Sequence, residues 1–128
     1  MTREKLEKYI QNNYSTKPDY PWIKYPEHEV FRHTSNKKWF ALIMEIPKDK
    51  LGLQTKDILS VVNFKCDPIM IGSFLNKEGY FPAYHMNKIS WITVALDGSV
   101  PDDEIRMLLD MSFEATAPKI RKKKKEEF

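Results

Sequence analysis

A chain of 128 residues can bury one ordinary hydrophobic core and has too little material for two. With 41% hydrophobic and 30% charged residues it contains no transmembrane-like window and no basic start followed by an apolar signal core, so a soluble cytoplasmic protein is expected. The single cysteine, Cys66, excludes an internal disulfide, and the formal charge of +3 is unevenly placed: residues 1–117 carry 15 Lys/Arg against 16 Asp/Glu, residues 118–128 six against two. One domain over 1–117 followed by a basic, disordered tail is the expected organisation.

In chain order, "TREKLEKYIQNN" places Leu6, Tyr9 and Ile10 on one helical face, with Thr2 as cap, and predicts a helix over 3–13. The stretch "YSTKPDYPWIKYPEHEV" has three prolines, four aromatics and no period; it reads as a connector pinned by Tyr20, Trp22 or Tyr25. "VFRHTSNKKWFALIMEIP" reads as a short strand, a polar turn around Ser35 and Asn36, and a longer strand over 38–46. A third strand near 60–65 follows, with Val62, Phe64 and Cys66 on one side and Val61, Asn63 and Lys65 on the other.

"DPIMIGSFLNKEG" switches to helix, with Asp67 as cap, Pro68 at the first position and Ile71, Phe74 and Leu75 as its apolar face. "YFPAYHM" and "ISWITVAL" then predict two strands joined by a tight turn at Asn87 and Lys88. The final helix, within "SVPDDEIRMLLDMSFEAT", carries the spacing of a capping box at Ser99 and Asp102 and a stripe of Ile105, Leu108, Leu109, Ser112 and Phe113. The order helix, three strands, helix, two strands, helix points to an α+β fold: an antiparallel sheet with helices on one face.

The residues that bear chemistry give little support to catalysis. His28, His33, His85 and Cys66 form no short cluster of metal-ligand spacing, so no metal is expected. Cys66 precedes a helix and neighbours Lys65, which would favour a thiolate, yet alternation places it with Val62 and Phe64 on the core side. The four glycines are dispersed and build no phosphate loop, no carboxylate pair is framed, and no cofactor is expected.

A binding surface is the stronger reading. Alternation groups Trp39, Ala41 and Ile43 in the second strand with Trp91, Thr93 and Ala95 in the fifth, and the expectation is that this face lies open, opposite the helices. The competing assignment puts those rings under the helices, or under a second subunit, and leaves Phe40, Leu42, Met44, Ile92 and Val94 outside. Arg32, Lys37 and Lys38 surround one turn and Lys88 sits in the other, where they would reach phosphate oxygens of double-stranded DNA. Lys119, Arg121, Lys122, Lys123, Lys124 and Lys125 would add long-range attraction for DNA, and equally for an acidic protein or anionic lipid.

Together "WFALIMEI", "VVNFKCDP" and "FPAYHMNKISWITVALDGSVPDDEIRMLLDMSFEAT" resemble the MmcQ/YjbR family over residues 20–116. These are bacterial proteins commonly described as DNA-binding. "KCDP" at 65–68 and "YHMNKISWITV" at 84–94 are the most specific pieces. The resemblance implies a CyaY-like fold, similar in shape to frataxin without its iron chemistry, and it implies positions Lys65, Cys66, Asp67, Pro68, Tyr84, His85, Met86, Asn87, Lys88 and Trp91. The basic tail and the near-neutral charge ahead of it depart from the family pattern. The expectation is a non-enzymatic DNA-binding protein that uses Arg32, Lys37, Lys38, Lys65, His85, Asn87, Lys88, Trp39, Trp91 and the tail. A protein-interaction or regulatory module, and behind it a cysteine-dependent enzyme, stand as alternatives.

Overall fold

The computed structural model describes residues 1–119. Helix α1 (Arg3–Tyr14) is followed by strands β1 (Glu29–Arg32) and β2 (Trp39–Pro47), a single 3₁₀ turn (Lys48–Leu51), strand β3 (Ile58–Lys65), helix α2 (Pro68–Phe74), strands β4 (Tyr80–Pro82) and β5 (Trp91–Ala95), and helix α3 (Asp102–Thr116). The strands form one antiparallel sheet in the order β1-β2-β3-β5-β4. The α+β class and the one-sided placement of helices are as the periodicity predicts.

The main core lies between this sheet and the helices. Leu6 and Ile10 of α1, Ile71 and Phe74 of α2, and Ile105, Leu108 and Leu109 of α3 pack on Phe31, Ile43, Val62, Phe64, Ile92 and Val94. Thr2 caps α1 by accepting from the Lys5 amide, and Asp67 caps α2 by accepting from the Ile69 amide, each satisfying a first-turn donor. The capping box of α3 does not form. Pro101 stands at the cap, and Ser99 is drawn instead into a turn on Asp97, which accepts from both its amide and its hydroxyl. Leu75 ends α2 exposed and does not join its buried face.

Two local departures from regular strand geometry shape the other face. The β1–β2 register slips between Phe31 and Arg32, which face Ala41 and Trp39, so Phe40 is an extra residue in β2. Alternation therefore breaks at Phe40: Ala41 and Ile43 lie under the helices, whereas Trp39 turns to the opposite face with Leu42 and Met44. The expected grouping of Trp39 with Ala41 and Ile43 is corrected by this bulge. Trp91, Thr93 and Ala95 do share the helix-free face, by strict alternation from Ile92 and Val94, but all three are buried, so the expectation that this face lies open is corrected along β5.

The second departure is the β4–β5 connection. It is no tight turn at Asn87 and Lys88 but an eight-residue segment, 83–90, because the β4–β5 ladder ends at Pro82 and Ile92. Beyond it, side chains replace the ladder: the Tyr84 amide donates to Thr93 Oγ1 at 2.9 Å, and Asn63 Nδ2 donates to the Tyr84 carbonyl at 2.9 Å. Thr93 Oγ1 in turn donates to Asn63 Oδ1, so the buried pair is satisfied while it fastens the segment over the sheet. His85 adopts a left-handed φ of 65°, and Asn87 closes the return by accepting from the Ile89 amide.

The connector 15–28 covers the β1 edge. Asp19 pairs with Val30 through two backbone bonds, and Trp22 packs on the helix-free face with Leu51, Phe81, Tyr84 and Met86. That face thus has its own smaller core of Val30, Leu42, Met44, Ile46, Leu59, Val61 and Ala95.

Candidate functional site

At the end of the sheet reached by the C-terminal turn of α3, β2 and β3 part. Their ladder stops at Ala41 and Phe64, and the next two backbone groups are held by one side chain: Ser112 Oγ donates to the Phe40 carbonyl at 2.6 Å and accepts from the Lys65 amide at 2.9 Å. The bulge and this splay open a hollow of about 290 Å³ lined by Lys38, Trp39, Lys65, Met86, Trp91, Ala115 and Thr116. Lys65 Nζ lies 5.8 Å from the Trp91 ring centroid, close enough for the ammonium to sense the ring's negative face.

A second hollow of about 410 Å³ shares Trp39 and Met86 as its wall and is otherwise lined by Trp22, Tyr25, His28, Leu42, Met44 and His85. Its aromatic walls have defined geometry. Trp22 meets Trp39 edge to face, with centroids 5.6 Å apart and planes at 88°, and Tyr25 stacks on His28 at 4.9 Å with planes at 7°. Burial lowers the pKa of His28, the nearby His85 adds to that, and the charge of Glu27 opposes it. His28 is therefore a neutral imidazole near pH 7, with one donor and one acceptor.

The structure gathers some predicted residues and scatters others. Lys38, Trp39, Lys65 and Trp91 meet in one hollow, and His85 joins Trp39 in the other. Arg32 lies over Trp39 at 5.6 Å and pairs with Asp19 at 2.7 Å, so its charge is already partnered. Lys37 sits exposed at the hairpin tip with a left-handed φ of 65°. Lys88 faces a separate hollow with Lys50, Phe81 and Tyr84, away from Lys38 and Lys65. Asn87 serves the turn, and Lys119 is exposed beyond α3. Arg121, Lys122, Lys123, Lys124 and Lys125 lie outside the described residues.

Cys66 is buried in the main core, where burial first and the Asp67 charge second push its thiol up, opposite to what a nucleophile needs. Among the described residues no group of three or more His, Cys, Asp or Glu is disposed to hold a metal ion, and no helix is long and apolar enough to cross a membrane. The most charged cluster stands at the far end of the sheet. There Arg3 contacts Glu7, Glu29 and Glu45, and Ser60 donates to Glu45, closing the network on itself.

Reading the strands by alternation missed Trp22, Tyr25, His28, Met44 and Met86 as parts of one cavity. The signal that was present is the density of rings in the aperiodic segment 14–28, which cannot stay in water without packing somewhere.

Comparison with known proteins agrees with this architecture. The YjbR family model matches residues 11–115. Uncharacterized protein YyaQ of Bacillus subtilis (strain 168) is 43% identical over 116 residues, spanning 91% of this chain and 98% of YyaQ. Uncharacterized protein YjbR of Escherichia coli (strain K12) is 52% identical over 33 residues, 26% of this chain and 28% of its own length. A crystal structure of a Pseudomonas syringae protein superposes with a TM-score of 0.90 at 45% identity, covering 91% of this chain and all of that one. The matched span includes every described strand, α2, the lining of the two hollows except Thr116, and nearly all of α3, and on that ground the chain belongs to the YjbR family.

Proposed function

We propose that this protein is a non-enzymatic, cytoplasmic DNA-binding protein whose contact surface is the end of the sheet beside the C-terminal turn of α3. The observation that carries the reading is the pairing of Lys38 and Lys65 with Trp39 and Trp91 around one hollow. Neither lysine is paired with a carboxylate among the described residues, unlike Arg3, Arg32, Lys77 and Arg106. An unpaired ammonium beside an indole offers both elements of a nucleic-acid contact, a counter-charge for phosphate and an apolar face.

The test is fluorescence anisotropy of a labelled DNA at several salt concentrations with the full chain and with a Lys38→Gln/Lys65→Gln variant. Each phosphate neutralised steepens the dependence of log affinity on log salt by about 0.7–0.9, so the variant is expected to bind more weakly with a slope shallower by about 1–2. Equal slopes for the two proteins would reject this surface.

A protein-interaction reading draws on a different observation. Ile23 is 97% exposed and Ile89 71% exposed, in the two segments that frame the larger hollow. Absence of DNA binding by the full chain at low salt would favour it.

A further inference from the structure

We propose that the two adjoining hollows together hold one unpaired nucleotide of single-stranded DNA, its base in the aromatic cavity and its phosphate between Lys38 and Lys65. The inference rests on the DNA reading above and names the part of the strand that the surface takes.

The contrast between the hollows carries it. The larger one is lined by two indoles, a phenol, two imidazoles, two thioethers and a leucine, with no Lys, Arg, Asp or Glu; the smaller one, across the shared Trp39–Met86 wall, holds two lysines. A ligand that suits both is flat and uncharged at one end and anionic at the other, with a short link between. A nucleotide has that layout.

Size and wall geometry agree. About 410 Å³ is within the range of sites that enclose small organic ligands, roughly 300–1,000 Å³, and exceeds what a metal ion or a few waters require. The perpendicular indoles of Trp22 and Trp39 form a corner in which a planar ring stacks on one wall and sets its own edge against the face of the other. His28 and His85 bring imidazole nitrogens to the lining, polar groups that a base edge can meet.

Two other occupants fit less well. A quaternary ammonium would find aromatic faces but no carboxylate in the lining, with Arg32 already lying over Trp39 and Lys38 beside it. Double-stranded DNA keeps its bases stacked inside, so it would use the lysines and leave the aromatic cavity unfilled.

The experiment compares the affinity of the full chain for four labelled probes of equal length: single-stranded DNA, the same strand with abasic residues, the DNA duplex, and single-stranded RNA. Intact single-stranded DNA is expected to bind roughly ten- to a hundredfold more tightly than the abasic strand, and more tightly than the duplex. Trp22→Ala and, independently, the exposed-ring variant Tyr25→Ala are expected to erase most of that difference. Melting curves confirm that each variant folds. Equal affinity for intact, abasic and duplex DNA, all weakened by Lys38→Gln/Lys65→Gln, would overturn the base pocket and leave the DNA reading standing. Binding to none of the probes would overturn both. Tighter binding of RNA than of single-stranded DNA would overturn the assignment to DNA.

Discussion

Ser112 is a hydroxyl on the apolar stripe of α3, fully buried, and it occupies a place where the sheet does not satisfy itself. The β2–β3 ladder ends at Ala41 and Phe64, beside the bulge that Phe40 makes against β1, and the serine bonds both the Phe40 carbonyl and the Lys65 amide just past that end. Replacing it by alanine would strand two buried backbone groups at about 1–3 kcal/mol each. Ser112→Ala is therefore expected to lower the free energy of unfolding by about 2–4 kcal/mol in urea titrations. A loss under about 1 kcal/mol would mean that water reaches the splay. Because the Phe40 carbonyl and the Lys65 amide flank the hollow of Trp39 and Trp91, the same residue that stabilises the fold also shapes the proposed contact surface. Asn63 and Thr93 do comparable work for the 83–90 segment, holding it by side-chain bonds where the ladder has ended.

At the scale of elements, helix α3 fastens the β1–β2 hairpin through its last turn. His33 Nε2 bonds Thr116 Oγ1 at 2.9 Å, Asn36 donates to the Thr116 carbonyl at 3.0 Å, and the His33 ring lies 4.2 Å from that of Phe113. Burial lowers the pKa of His33, as it does that of His28. As pH falls below about 6.5 the unfolded chain takes up protons that the fold resists, so stability declines with acidification until the folded-state pKa values are reached. Glu7, raised by burial and by its bond to Glu29, has the opposite sign in its own, more acidic range. The clean readout is thus a difference: His33→Gln, which keeps a donor without titrating, is expected to show a shallower fall in urea midpoint between about pH 7 and 5.5 than the parent. The elements themselves were largely legible, since Leu6/Ile10 and Ile105/Leu108/Leu109 have a helical period and Val62/Phe64 a strand period. The site was legible only in part. Alternation extrapolated through Phe40 cannot see a bulge, which depends on what β1 and α3 present to β2. No local pattern shows that Trp22 and Met86, far apart in sequence, close on the same Trp39. The capping box failed for a related reason: Ser99 had a nearer partner in Asp97.

For the molecule as a whole, charge and shape assign different tasks to different parts. Residues 1–117 have 15 basic against 16 acidic side chains, so they offer a polyanion little long-range attraction and act through a few placed lysines around shaped hollows. The last eleven residues carry six of the 21 basic side chains and are the source of any steering field. α3 ends at Thr116, so a chain stopped at Ala117 keeps every described strand and helix and both hollows. If the sheet surface docks DNA, that shortened form is expected to associate more slowly and with a shallower salt slope, by up to about 0.9 for each phosphate the tail had neutralised. Its residual affinity is expected to retain the preference for intact over abasic strands, because stacking depends on the rings and not on the tail. Stopped-flow association and equilibrium anisotropy at matched salt separate the two contributions. Complete loss of binding in the shortened form would make the tail a generic polycation and deny the sheet surface any part in recognition.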